Sequence, residues 1–352
     1  MQKLESKYYP QLFTLLQLAL ELKDDLEFDS MDEEAWKCMF YIAQKNNITA
    51  LLFDGISKLP EELRPPRKIW LRWAVEQEKS VAAYFRKCEV QKDLIAYFGK
   101  HDIPTHVLKG TTLSSCYPHP EYRSLGDIDI YQSGLQKESD ALVERNLGIS
   151  VSNDAHHHSK YVYKGVTVEN HYDFVNTHTP KSNKEYEKIL KALDPESPMF
   201  QALFLARHTA EHFVSSRITV RALCDWTMFQ KIHREDVDWK KVWKILEQFN
   251  SHRFIGILQG IIEDEFQMPA IPSLPRCESR ELQKRVLNDI INGEYETPDP
   301  GVASLKRMIW KVRRYNANRW KHSLVYSDSQ ASLIASSLVS HLQKPKSISN
   351  KM

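Results

Sequence analysis

The chain has 352 residues, 42% of them hydrophobic, and its 48 Lys and Arg against 46 Asp and Glu leave a formal charge of +2. That length suggests two or three packed units, and the near-neutral balance excludes a global basic field that would draw the protein to nucleic acid or an anionic membrane. The N-terminal stretch Met1-Gln2-Lys3-Leu4-Glu5-Ser6-Lys7 lacks a signal-type apolar core, and no apolar run approaches the roughly 20 residues needed to span a bilayer. The expected location is therefore the cytoplasm. Cys38, Cys88, Cys116, Cys224 and Cys277 are dispersed and form no C-x-x-C pair, which argues against a disulfide framework or a zinc ribbon.

The first third reads as helical. Apolar periodicity predicts a helix over Leu12 to Leu22, and Ser30-Met31-Asp32-Glu33 reads as a capping box opening another over Trp36 to Gln44. Pro60, Pro65 and Pro66 interrupt the pattern. Arg67 to Phe98 then contains neither Pro nor Gly and predicts a long helix bridging the N-terminal unit and the next domain. From Gly99 the character changes: Ile103 to Leu108 is strand-like, Thr111 to Tyr117 a short helix, and Gly126 to Tyr131 a second strand. Lys160 to Tyr163 and Val166 to Tyr172, joined by Lys164-Gly165, predict a hairpin. Past Pro198 helices are predicted over Phe200 to Val214, Val220 to His233, Asp238 to Phe249, Phe254 to Glu265, Glu281 to Ile291 and Leu305 to about Tyr326.

The pattern predicts an α+β protein with a helical N-terminal region at 1–85, a catalytic core at 86–195, a C-terminal helical domain at 196–343 and a flexible tail at 344–352.

Within the middle region Asp127 and Asp129 alternate with Ile128 and Ile130. On a strand both carboxylates leave one face while both isoleucines enter a core. Two like charges so placed repel unless a cation lies between them, and oxygen ligands favour a hard ion such as Mg²⁺. On the later strand Glu169 and His171 share a polar face, so Glu169 completes an acidic triad if the two strands are neighbours. Upstream, Gly110-Thr111 at a helix start offers backbone N–H groups to a phosphate. Together these residues point to metal-assisted phosphoryl chemistry.

Leu108-Lys109-Gly110, Tyr117-Pro118-His119-Pro120, Arg123, Gly126-Asp127-Ile128-Asp129 and Glu169-Asn170-His171 resemble the uncharacterised nucleotidyltransferase family of the DNA polymerase β-like superfamily. The resemblance extends through Ala206-Arg207-His208, Glu211-His212 and Arg221 to Asp225, over roughly residues 80 to 235. It implies a mixed β-sheet flanked by helices, with two Mg²⁺ ions, or Mn²⁺ in their place, held by Asp127, Asp129 and Glu169. It further implies transfer of a nucleoside monophosphate from a nucleoside triphosphate, ATP by default, to a hydroxyl acceptor with release of pyrophosphate. The acceptor is a small molecule, a protein or an RNA end. The family's Gly-Ser turn is Gly110-Thr111 here, and its Leu-His-Trp after the strand acid is replaced by Asn170-His171-Tyr172. Asn170 then faces the core, where it needs hydrogen bonds.

Lys109, Gly110, Thr111 and Arg123 are the nucleotide-binding candidates; Arg123 serves equally well as an ion-pair partner of the triad. His171, His208, His212, Arg221 and Asp225 are candidates for the acceptor side or cleft wall. Arg221 and Asp225, four apart, also suit an intrahelical ion pair. The histidines His156, His157, His158, His171, His178, His208 and His212 lack the H-E-x-x-H arrangement, and a structural or substrate-facing use is preferred to metal chelation. The basic run from Lys306 to Tyr315 with Arg319-Trp320-Lys321 is read as a solvated face with Trp310 and Trp320 buried, in preference to an RNA site. Two other readings stand beside transfer: a degenerate nucleotide-binding regulatory or antitoxin-type module, and an RNA-modifying transferase.

Overall fold

A computed structural model of the chain describes residues 3–23, 27–153, 157–176, 182–215, 217–293 and 305–326. Three N-terminal helices, α1 (Tyr9–Ala19), α2 (Glu33–Lys45) and α3 (Thr49–Ser57), lead into α4 (Arg67–Gly99), a helix of 33 residues. The middle region holds β1 (His106–Val107), the single turn α5 (Thr111–Ser114), β2 (Ile128–Tyr131), α6 (Gln136–Leu147), β3 (His158–Tyr163) and β4 (Val166–His171). The remainder is helical: α7 (Ser182–Lys191), α8 (Pro198–Ser215), α9 (Val220–Ile232), α10 (Trp239–Gln248), α11 (His252–Glu265), α12 (Arg280–Asn292), α13 (Leu305–Ala317) and α14 (Arg319–Val325).

The strands form one four-stranded mixed sheet in the order β1-β2-β4-β3, in which β2 runs parallel to β4 and the other pairs are antiparallel. Lys164 and Gly165, both at positive φ, close the β3–β4 hairpin. Two such residues form the turn whose twist matches the strands, and it sets the register that pairs Lys160 with Glu169 and His158 with His171. The sheet's apolar face, carrying Ile128, Ile130, Tyr161, Val166 and Val168, packs with Val90, Leu94 and Phe98 of α4 and Val143 of α6. A second core joins the N-terminal helices to α8, α9, α11 and α12, with Ile69 and Trp73 from the start of α4 inside it. The N- and C-terminal helices thus share one core across the divisions at 85 and 195, and α4 reaches both clusters. No described helix is long and apolar enough to cross a membrane.

Several local expectations change. The cap of α2 is Asp32, which accepts from Ala35 N at 2.7 Å, rather than Ser30. α5 stops at Ser114, short of Tyr117. The last predicted helix breaks at Asn318 into α13 and α14. α3, α6 and α7, of 9, 12 and 10 residues, go unread in the sequence because two or three turns give a period little length in which to show. Asn170 faces the core and is buried there, with its amide nitrogen within 3.0 Å of Gln132 Oε1, Ser139 Oγ and Asp140 Oδ1. The segment 344–352 lies outside the described residues.

Gly55 marks the closest crossing of α1 and α3. A Cβ there would lie 2.1 Å from the Leu15 carbonyl oxygen, a backbone atom that cannot swing away. Gly55→Ala is expected to lower unfolding free energy by about 1–3 kcal/mol, the usual cost of overpacking, in urea denaturation followed by far-UV circular dichroism. An unchanged midpoint would show that the helices separate freely.

Candidate active site

The face of the sheet opposite the apolar core carries the chemistry. Parallel pairing sets Asp129 beside Glu169 and Tyr131 beside His171, and the hairpin adds His158 and Lys160 from β3. Asp127 stands just before β2. Tyr131 closes this row against Phe174 at the edge of the helical core.

Asp129 is 2% exposed. Its Oδ1 lies 3.2 Å from Lys109 Nζ and 3.1 Å from His171 Nε2. Burial disfavours its charge, yet the Lys109 ammonium and the His171 hydrogen bond outweigh that penalty and hold the carboxyl well below its usual range. Lys160 Nζ bridges the other two acids, 3.1 Å from Glu169 Oε1 and 3.5 Å from Asp127 Oδ2. Burial, with Glu169 and Asp129 nearby, pushes the Asp127 carboxyl up against the pull of Lys160. The cations that relieve the like-charge repulsion are therefore lysine ammonium groups.

α8 forms a wall of this face. His208 Nε2 is 2.9 Å from Lys109 Nζ, and the His208 and His212 rings lie 4.4 Å apart. Desolvation and the Lys109 charge depress both imidazoles, His212 to about 4, so they are neutral near pH 7, although His208 is only half-buried and His212 is exposed. His157 and His158 join from the start of β3, their rings 5.5 and 5.2 Å from that of His171. His156 and His178 lie outside the described residues.

Two groups among the described residues could hold a metal ion: Asp129 with Glu169 and His171, and His157 with His158 and His171, the ligand atoms of each group lying within 4.8 Å of one another. The expected triad is thus brought together in part. Asp129 and Glu169 converge with His171, while Asp127 sits outside both groups. Lys160 and His158 were missed as partners of the acids. The two-residue turn at Lys164-Gly165 carried the signal, because counting back from it puts Lys160 opposite Glu169 and His158 opposite His171.

Arg123 and Asp225 meet each other instead of the triad. Both are nearly fully buried. Arg123 Nε and Nη2 donate to Asp225 Oδ1 and Oδ2 at 2.6 and 2.8 Å, Tyr117 Oη donates to the same carboxylate at 2.6 Å, and Arg123 Nη1 donates to Gly110 O at 3.1 Å. This bidentate pair occupies the carboxylate that an intrahelical Arg221 bond would have used. Arg221 donates to Ser124 O at 3.0 Å. The Thr111 hydroxyl exchanges hydrogen bonds with the Gln91 side chain at 2.8 and 3.1 Å. Gly110 has φ +78°, and a Cβ there would meet only Leu125 Cδ2, at 3.9 Å, so the strain of a substitution would come from the backbone.

In the C-terminal stripe, Lys321 is buried against Asp289 at 2.6 Å and Arg314 donates to Ser215 O at 2.7 Å. Trp310 and Trp320 are partly buried, and the side chains of Lys306, Arg307 and Lys311 lie outside the described residues.

The Arg123–Asp225 pair generates a stability expectation. Removing one partner strands a buried charge, so Arg123→Ala is expected to cost about 3–5 kcal/mol in chemical denaturation. Burial opposes the Asp225 charge, but Arg123 prevails and holds its pKa below the ordinary value. A depressed carboxyl contributes stability above its unfolded pKa of about 3.9 and loses it as pH falls through the folded value. The acid limb of the stability curve should therefore flatten in Asp225→Asn. An Arg123→Ala protein with native stability would place the guanidinium at a ligand instead.

A model of the uncharacterised nucleotidyltransferase family matches residues 32–264, a longer span than the motifs alone cover. No curated protein and no solved structure matches the chain at a significant level. With two thirds of its length in that match and a mixed sheet aligning Asp129 with Glu169, the chain belongs to the uncharacterised nucleotidyltransferase family.

Proposed function

We propose that the protein transfers a nucleoside monophosphate from a nucleoside triphosphate, ATP by default, to a hydroxyl acceptor in a divalent-metal-dependent reaction. The observation that carries this reading is the pairing of Asp129 with Glu169 on adjacent parallel strands, with Lys109 against the buried carboxylate. The residues fit a divalent cation by their donor chemistry: two carboxylates and an imidazole offer ligand atoms within 4.8 Å of one another. Asp129, Glu169 and His171 would hold the ion, with Asp127 alongside. When bound, a divalent ion would supply positive charge to phosphate oxygens and favour the ionised acceptor hydroxyl.

The chain's own groups have separable tasks. Lys109, at 3.2 Å from Asp129, would be available to bind phosphate oxygens and to offset charge on departing pyrophosphate if a cation held that carboxylate instead. Lys160 would likewise be available if a cation held Glu169 and Asp127. His208, half-buried, and His212, exposed on the same helix face, are neutral rings placed to orient polar atoms on the acceptor side. Gly110 and Thr111 bound the triphosphate side, and Arg123 positions them through the Gly110 carbonyl. Arg221 and Asp225 support the same loop from α9.

The degenerate nucleotide-binding module has one observation in its favour, since Asp129 has an ammonium partner in Lys109, and Glu169 and Asp127 share one in Lys160. For an RNA-modifying enzyme, the internal bonds of Lys321 and Arg314 leave less of the basic stripe for a nucleic-acid backbone.

The test follows pyrophosphate release, and label transfer from α-phosphate-labelled nucleoside triphosphates, across pools of hydroxylated small molecules, proteins and RNA. Activity is expected with Mg²⁺ or Mn²⁺ and is expected to vanish with EDTA. Asp129→Asn should lower it by about 10³-fold or more, and lower stability by about 3 kcal/mol because Lys109 loses its buried partner. Nucleotide binding with no transfer across all pools would favour the degenerate module; turnover in Asp129→Asn near that of the native chain would remove the catalytic assignment.

A further inference from the structure

His157, His158 and His171 bring three imidazole ligand atoms within 4.8 Å of one another on the edge of the acidic face. Nucleotidyl transfer as proposed above uses His171 but gives His157 and His158 no task. The Nδ1 atoms of His157 and His158 are both buried without a hydrogen-bond partner, a costly arrangement for two neighbouring rings. His171 Nδ1 is 3.4 Å from the Asp173 carbonyl oxygen, which would accept the ring's remaining proton if Nε2 gave up its own to bind a metal ion. That Nε2 faces Asp129 Oδ1 at 3.1 Å. Two ligands of one tetrahedral ion at about 2.0–2.1 Å lie about 3.3 Å apart, so the pair already has the spacing of atoms sharing a metal. Glu169 Oε1 is 3.6 Å from His158 Nε2, the nitrogen of that ring other than its orphaned Nδ1, where a carboxylate orients a ligating imidazole.

We propose that His157, His158 and His171 bind a borderline transition-metal ion of the zinc type, contiguous with but distinct in chemistry from a hard-cation site on the carboxylates. Imidazole nitrogen favours such ions, whereas Mg²⁺ takes oxygen ligands and gives up its water reluctantly. The orphaned Nδ1 atoms supply the lone pairs, and His171 joins the ion to Asp129 through one short contact. The inference concerns the ion held by the histidines and does not depend on the reaction proposed above.

The experiment uses the full, untagged chain stripped with chelator and titrated with Zn²⁺ in competition with a chromophoric indicator, with Mg²⁺ titrated separately by calorimetry. One Zn²⁺ per chain is expected, bound at least 100-fold more tightly than Mg²⁺. Co²⁺ substitution should give the intense visible absorption of a tetrahedral site with nitrogen ligands. The paired substitution His157→Asn with His158→Asn should weaken Zn²⁺ at least 100-fold and leave Mg²⁺ binding within twofold. Circular dichroism checks that this variant folds; if it does not, the Co²⁺ spectrum of the native chain and His157→Asn alone decide. Equal Zn²⁺ affinity in native and substituted chains, or a weak octahedral Co²⁺ spectrum, overturns the site. Zinc binding without nucleotidyl transfer would leave this inference standing and remove only the proposed reaction, and transfer with no histidine-dependent zinc would do the reverse.

Discussion

The register between β2 and β4 governs this protein, because side chains alternate along a strand and a slip of one residue would exchange every face. In the observed pairing Asp129 adjoins Glu169 and Ile130 adjoins Asn170. Shifted by one, Asp129 would adjoin a valine or Asn170, and the acids would no longer share a face. What holds the register is apolar burial together with a polar lock on the same core-facing side. Ile128, Ile130 and Val168 fill the core under α4 and α6, while Asn170 is gripped by Gln132, Ser139 and Asp140. A polar residue inside a core specifies a position more sharply than another valine would, because its bonds are lost if it moves.

Charge is divided between two neighbouring places with different duties. At the sheet, lysines and acids meet where partial exposure lets them exchange partners. Below it, Arg123 and Asp225 are sealed together with Tyr117. That sealed pair reaches the first place through one bond to the Gly110 carbonyl, and Arg221 reaches it through the Ser124 carbonyl. The loop bearing Lys109 is thus pinned by cations that themselves contact no acid of the sheet. A family motif can therefore combine reactive residues with residues whose role is to hold the backbone.

Much of this was legible in the sequence for physical reasons. The alternation around Asp127 to Ile130, the hairpin turn and the long uninterrupted helix each express one strong periodicity, and each formed where expected. Arg123 was harder to place, since sequence spacing ranks its possible partners but says nothing of which carboxylate arrives from α9, about a hundred residues later. Lys160 escaped notice for the opposite reason: its partner is local, but finding it required counting register back from the turn rather than weighing residue types. Asp127, expected in the triad, meets that same lysine at 3.5 Å.

The length of α4 has a mechanical consequence. At 1.5 Å per residue its 33 residues form a rod of about 50 Å. Its first turns are embedded with Trp73 in the helical core, and its last turns lie under the sheet with Leu94 and Phe98. Along the way Tyr84 reaches Ser114 and Gln91 reaches Thr111, so the rod also carries the loop after Lys109. A tilt of 5° about its middle would displace either end by about 2 Å, more than the roughly 1 Å at which displaced reacting groups lose rate. The helix acts as a lever arm, and the stiffness of the distant N-terminal bundle becomes part of the tolerance to which the polar face is held.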